Sequence, residues 1–112
     1  MRIIFSLFTK KTMSNITIKG IHLIAEERSE QINKHGRTIA SDFQQNENGQ
    51  LAIGAMMLLA VDFEEGIDSA SYPQGWDHDL CAKMLAKNYK DRLVMAGALI
   101  AAEIDRIQFI PA

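Results

Sequence analysis

The chain has 112 residues, of which 47% are apolar and 23% are charged, and its formal net charge at pH 7 is −2. This length suits one domain with a single core, and the composition is that of a globular protein rather than a disordered one. The charge provides no basic surface for a nucleic-acid backbone, and the longest apolar run is too short to span a bilayer, so neither a nucleic acid nor a membrane is an expected partner.

The N-terminal residues 1–15 are predicted to be a poorly ordered or extended tail. Their apolar run precedes Lys10 and Lys11, whereas a secretory signal peptide carries its positive charges first. Met13 is a plausible alternative start to Met1, so the tail is assigned no function. Residues 16–112 are predicted to form a single helical-bundle domain.

The first predicted helix runs from Ile21 to His35. Apolar residues recur at helical spacing, and Gly36 suits the position just after a helix C-terminus. Arg28 lies on the same face as Ile24 and Ile32, which places a cation in line with packed residues. Such an arginine either pairs structurally or contacts a ligand.

The next two segments contrast sharply. Residues 37–49 are polar, aperiodic and end in glycine, so they are predicted to be a loop long enough to fold over a site. Gln50 to Val61 is apolar on nearly every side. A helix of this kind is either central or buries a second face against another subunit, and in so small a domain this favours a homodimer.

A short helix is predicted after the turn-rich segment 62–75, with Asp77 as its N-cap. Cys81 on this helix is expected to be a small buried hydrophobe. Because it is the single cysteine of the chain, it cannot form an internal disulfide, which fits a reducing compartment and predicts a cytoplasmic protein.

The last helix, Arg92 to Ile107, is predicted to be the spine of the bundle, with Asp91 as its cap. One side carries large apolar residues at helical spacing, and the other is small enough for close helix contact. The large set is Leu93, Ile100, Ile104 and Ile107, interrupted by Ala96, and the small set is Gly97, Ala98, Ala101 and Ala102. We therefore predict an all-α bundle of three long helices and one short helix, which forms a dimer.

Several motifs of the chain match those of a known family. The segments AEERSEQINKHG, NGQLA, YPQGW and DRLVMAGALIAAEIDRI together resemble an uncharacterised family of small proteins from bacteriophages and Bacteroidales mobile elements. Those proteins share ERxxQxxKHG, a GQLA or GELA helix, a P-x-G-W connection and a closing AGALIAAEIDRL. The resemblance implies an accessory role in mobile-element biology and no particular activity.

A looser resemblance is to the MazG-type all-α nucleoside triphosphate pyrophosphatases, which bind magnesium through EExxE and ExxD motifs. Glu26, Glu27 and Glu30 match EExxE, and carboxylates at this spacing can hold hard divalent cations that clamp a triphosphate. The segment from Glu65 to Asp68 spells ExxD but contains a glycine. This alternative implies a magnesium-dependent enzyme, and no cofactor is expected otherwise.

Polar residues of the first and last helices, with one tryptophan, form the favoured candidate site. Arginine offers a planar fork for phosphate, glutamine and histidine supply orientable hydrogen bonds, and tryptophan stacks on rings. These residues are Arg28, Gln31, His35, Trp76, Glu103 and Arg106. They predict a non-catalytic module that binds a nucleotide-like or other anionic small ligand.

Two alternatives to this site remain open. In the structural alternative, Arg28 forms a salt bridge with Glu103 between the helices, and Trp76 is a core anchor. In the other, the chain is a homo-oligomeric interaction module that acts on a host protein, through the helix Gln50 to Val61 or the small-residue side of the last helix.

Overall fold

A computed structural model describes residues 19–63, 68 and 71–110. The predicted tail, residues 1–15, and most of the predicted ExxD segment lie outside these ranges. The regular structure of the described residues is entirely helical. The helices are α1 (Lys19–Asn33), α2 (Ile39–Gln45), α3 (Gln50–Ala60), α4 (His78–Leu85) and α5 (Tyr89–Gln108). None of these helices combines the length and apolar character that crossing a bilayer requires.

The all-α class is thus confirmed for the described residues, but the predicted loop 37–49 is wrong because it contains α2. The Thr38 hydroxyl caps this helix by accepting from the Ser41 amide at 3.1 Å. Phe43 packs on Phe109, with ring centroids 5.3 Å apart. A side-chain cap and one aromatic contact therefore hold a seven-residue helix whose sequence is largely polar.

The starts of α4 and α5 test two predicted caps. Asp77 caps α4 as predicted, and its carboxylate accepts from the Asp79 amide at 2.9 Å. The prediction that Asp91 caps the last helix is wrong. Asn88 is the cap, because its side-chain oxygen accepts from the Asp91 amide at 2.8 Å and α5 begins at Tyr89.

The core lies between α3 and α5, with α4 packed against it. Cys81 is 0% exposed, which confirms its prediction as a buried hydrophobe. Its buried neighbours come chiefly from α3 and α5 and include Leu51, Met57, Leu58, Met84, Ala96, Leu99 and Ala102. Helix α3 is therefore central, which is one of the two alternatives that its apolar sequence offered.

The orientation of α5 differs from the prediction. Leu93 is 40% exposed, Ile100 46%, Ile104 48% and Ile107 65%, so the large residues do not face the core. The core side consists of Arg92, Ala96, Ala98, Leu99 and Ala102. Small side chains let α3 approach α5 closely, and this close packing selects the small-residue side over the large one.

Two helical glycines mark close contacts, and their replacement by alanine has different expected effects. A Cβ at Gly54 would lie 2.7 Å from Cη2 of Trp76, and one at Gly97 would lie 2.6 Å from Cδ1 of Ile24. The indole is held on both sides, so Gly54→Ala should lower the free energy of unfolding by about 1–3 kcal/mol. Cγ1 of Ile24 would also lie 2.9 Å from the new Cβ, but this side chain is only half-buried and can shift as a whole, while alanine gains about 1 kcal/mol of helix propensity.

Gly97→Ala should therefore be close to neutral. Urea unfolding of the two variants, followed by circular dichroism, measures both changes in the free energy of unfolding. An equal loss in both variants would contradict the assignment of Gly54 as the tighter contact.

Candidate functional site

A cleft of about 320 Å³ lies between the turn after α1, helix α2 and the connection that precedes α4. This volume is at the lower end of the range for small-molecule sites. Polar and charged side chains supply much of its lining, which includes His35, Arg37, Asp42, Asn46, Trp76 and Asp77. The cleft is therefore the strongest candidate for a ligand site among the described residues.

Glycines shape two sides of this cleft. Gly36 has a φ of 65° and Gly75 a φ of 83°, both in the left-handed region that other residues rarely adopt. Gly36 turns the chain from α1 towards α2, as its predicted position after the helix indicated. Gly75 forms a turn in which the Trp76 amide donates to the Pro73 carbonyl at 3.1 Å. The walls are thus fixed by backbone geometry as well as by side chains.

Trp76 is both a wall of the cleft and an anchor in the core. Its six-membered ring packs over Gly54, and its Nε1–H donates to Asn46 Oδ1 at 2.9 Å. Asn46 Nδ2 in turn donates to Asp42 Oδ1 at 2.8 Å. This chain of hydrogen bonds ties the connection before α4 to α2, so the orientation of the indole is set on two sides.

Asp42 is 1% exposed and lies at the inner end of that chain. Its Oδ2 accepts no hydrogen bond and lies 3.8 Å from Nη2 of Arg28. Burial raises the pKa of Asp42 above its usual value, although the hydrogen bond from Asn46 and the charges of Arg28 and Arg37 act in the opposite direction. The Asp42 carboxyl is therefore a buried part of the cleft wall, with one oxygen that accepts no hydrogen bond.

The predicted structural salt bridge between Arg28 and Glu103 is wrong, because Arg28 pairs with other groups. Arg28 Nη1 donates to the Arg37 carbonyl at 3.1 Å, and Nη2 lies 3.6 Å from Asp105 Oδ2. Glu103 instead accepts two 2.8 Å bonds from Arg106, three residues along the same helix. This pairing lowers the pKa of Glu103, because residues three apart on a helix are neighbours.

The structure brings only part of the predicted site together. His35 and Trp76 both line the cleft, while Gln31 is buried and donates to Glu27 Oε2 at 3.3 Å. The predicted residues that do not line the cleft are Arg28, Gln31, Glu103 and Arg106. Of these four, Arg28 is linked to the cleft through its ion pair with Asp42.

Arg37 and Asn46 are cleft residues that sequence reasoning missed, as is Asp42. All three belong to the segment predicted to be a loop. The available signal was Thr38 followed by Ile39 and Phe43 at a spacing of four, which is a short helical pattern behind a capping residue.

Arg37 is the half-buried cation of the cleft. Four arginines lie in the described residues, and three of them, Arg28, Arg92 and Arg106, have a carboxylate within 4.0 Å. Arg37 has no such partner within the same ranges. Burial raises the pKa values of Asp42 and Cys81, and the positive charge of Arg37 opposes this rise at both groups.

The acids of α1 do not form a metal site with other described side chains. Glu26 and Glu30 are exposed, and Glu26 lies 3.6 Å from His22. Nowhere in residues 19–63, 68 and 71–110 do three or more His, Cys, Asp or Glu side chains converge in a way that could hold a metal ion. The magnesium alternative therefore stays a prediction.

The pH dependence of stability should reveal the buried Asp42 carboxyl. Its pKa in the folded protein is raised above 3.8, so the folded state binds this proton more tightly than the unfolded state does. The stability of the natural protein relative to Asp42→Asn should be highest below that value and should fall as pH rises through the folded pKa.

Urea unfolding of both proteins from about pH 3.5 to about pH 7 measures this difference. Glu103→Gln serves as the control of opposite sign. The pKa of Glu103 is lowered from 4.5, so its contribution is present above that pH and is lost as pH falls. A difference for Asp42→Asn that rises with pH would contradict the burial effect.

Comparison of the chain with protein-family models, with curated proteins and with solved structures found no match. The assignment of function therefore depends on the cleft itself.

Proposed function

We propose that the protein is a non-catalytic binding module for a nucleotide-like small ligand, held in the cleft between α2 and the connection before α4. The observation that carries this proposal is Arg37. A half-buried guanidinium without an ion pair among the described residues, in the wall of a cleft of about 320 Å³, is suited to a phosphate or carboxylate. His35 lies on the same cleft and adds a second donor for an anion.

The remaining lining restricts the class of ligand. Asp42 and Asp77 are acidic, so a compact anion alone would meet repulsion as well as attraction. Asn46 and Gln74 supply amide groups, and Trp76 supplies a ring. These groups suit a ligand whose anionic group meets the basic residues and whose ring bears N–H or O–H donors for the acidic and amide groups. A nucleotide has that form.

Titration of the full-length protein with nucleoside mono-, di- and triphosphates and cyclic nucleotides, each with and without magnesium, tests the proposal. Trp76 is the only tryptophan of the chain, so its fluorescence reports on the cleft without a label. Isothermal titration calorimetry supplies the affinity. A ligand at about a hundred times its dissociation constant should also stabilise the fold by roughly 2.7 kcal/mol.

Arg37→Gln is the decisive variant, and we expect it to weaken binding at least tenfold, the loss of about 1.4 kcal/mol. Lys34→Gln is the matched control. It removes the same charge from an exposed position three residues away that does not line the cleft, and it should retain the natural affinity. Equal effects of the two variants, or no binding of any nucleotide, would overturn the proposal.

Binding that requires magnesium would instead favour the alternative of a pyrophosphatase, and release of pyrophosphate would then be measured. The wider setting proposed for the module is the cytoplasm of a cell that carries a phage or mobile element. The resemblance of residues 25–36 and 91–107 to the phage-type family and the single cysteine support that setting.

A further inference from the structure

The exposed side of α5 is unusual for a helix on the surface of a small domain. Leu93, Ile100, Ile104 and Ile107 are each 40–65% exposed, and Tyr89, one turn before Leu93, is 54% exposed. We call these five residues the α5 face. Between Leu93 and Ile107 its positions contain no charged residue, whereas the exposed side of a surface helix ordinarily carries polar residues.

The spacing of the α5 face indicates a helical partner. Together with Gly97, its members from Leu93 to Ile107 are separated by four, three, four and three residues. This alternation repeats every seven residues and is the pattern of the seam in paired helices. Gly97 is covered by Ile24 of α1 within the same chain, so the large residues are left to meet a partner.

A groove between α1 and α5 borders this face. It has a volume of about 480 Å³ and is lined mainly by apolar residues, among them Ile21, Ile24, Ile32 and Ala101. Ile21 is itself 61% exposed. The apolar surface therefore continues from α5 onto the neighbouring helix.

From these observations we infer that the α5 face is a homodimer interface, in which α5 of one protomer packs antiparallel against α5 of a second copy around a twofold axis near Ile100. An uncharged face is self-complementary, because a second copy brings no charge that must be buried. In the antiparallel arrangement Leu93 of each protomer lies beside the partner's Ile107. The helix dipoles then oppose each other favourably.

The exposed area of the α5 face is close to the area that such a dimer requires. The five side chains of the α5 face expose on the order of 400 Å² per protomer, which is within the size range of the largest apolar patch on a monomer, a patch that is often functional. Two copies together cover on the order of 800 Å² through these side chains alone, and the bordering groove adds to that. The sum approaches the roughly 1,000 Å² that a specific interface requires.

The mass of the full-length protein, measured by sedimentation equilibrium over a range of concentrations, tests the inference. We expect a dimer, and we expect Ile100→Glu to raise its dissociation constant at least a hundredfold because it buries two facing charges. Met56→Glu is the matched control, since Met56 is 63% exposed on α3 and lies outside the α5 face. Circular dichroism verifies that both variants are folded.

Cross-linking locates the axis independently of these charged variants. Ile100→Cys should form an intermolecular disulfide or short bis-maleimide cross-link, because Ile100 lies beside its own counterpart. Leu93→Cys should form neither alone but should cross-link when mixed with Ile107→Cys. Cys81 is 0% exposed, so the natural protein supplies the unreactive background.

Three results would overturn the inference. The first is that the natural protein is a monomer at all concentrations, which would mean that a second copy does not cover the α5 face. The second is a dimer that persists unchanged in Ile100→Glu. The third is efficient cross-linking of Leu93→Cys to itself, which would exclude the antiparallel arrangement.

Discussion

Replacing Arg92 with methionine is expected to lower the free energy of unfolding by roughly 3 kcal/mol. The guanidinium is buried and donates to the carbonyl of Leu58 at 3.1 Å, to the carbonyl of Lys87 at 3.0 Å and to Asp62 Oδ1 at 3.0 Å. These bonds join the end of α3 to the start of α5. Methionine fills a similar volume but removes the donor from the carbonyl groups of Leu58 and Lys87, whereas the partly exposed Asp62 carboxylate is hydrated by water.

Urea unfolding measures this loss, and two variants of the same contact define its origin. Arg92→Lys retains the charge but not the planar fork, so its loss should be intermediate. Asp62→Ala should lose less, because the Asp62 side chain is 42% exposed and water replaces the ion pair. A loss in Asp62→Ala equal to that in Arg92→Met would show that the ion pair, rather than the buried carbonyl contacts, provides most of the stability.

Trp76→Ala is expected to lower the free energy of unfolding by about 3 kcal/mol, near the low end for a tryptophan truncation because the side chain is only half-buried. The variant removes the ring that packs over Gly54 and also the donor to Asn46. It therefore opens a cavity next to α3 and releases one wall of the cleft. Circular dichroism must follow the unfolding, because the variant lacks the fluorescent side chain.

Trp76→Phe separates the two roles of the indole. Phenylalanine keeps much of the packing but cannot donate to Asn46, so its loss should be near 1–2 kcal/mol. Trp76→Ala should also weaken ligand binding strongly, whereas a merely structural tryptophan would leave the affinity of the remaining folded protein unchanged. Retention of full stability in Trp76→Ala would contradict the core contact seen at Gly54.

The elements that sequence reasoning placed correctly have strong local signals. Helix α3 is apolar after Gln50, and α4 follows an aspartate in the capping position. The α2 helix was not predicted because its two large apolar residues, Ile39 and Phe43, give too little periodicity over seven residues. With α2 missed, Arg37 and Asp42 could not be assigned to a site, and one of the two carboxylate partners of Arg28, Asp42, could not be predicted.

The orientation of α5 could not be predicted from the sequence for a different reason. Its sequence contains a large apolar side and a small apolar side, and periodicity alone does not state which of them meets the core. Close packing of α3 against α5 buries Ala96 and Ala102 and so determines which side of α5 faces the core. Because the large side is predicted to be internal, the part of the last helix predicted as a dimer seam is its small-residue side.

Arg28 connects the two proposed surfaces, the cleft and the α5 face. Its side chain lines the groove beside the α5 face, and its guanidinium forms the ion pair with Asp42 behind the cleft. A rearrangement of this one ion pair would therefore change the positions of side chains at both surfaces. If ligand binding changes the dimer dissociation constant by some factor, the closed thermodynamic cycle requires that dimerisation change the ligand affinity by the same factor. Cellular protein concentration would then set the apparent ligand affinity.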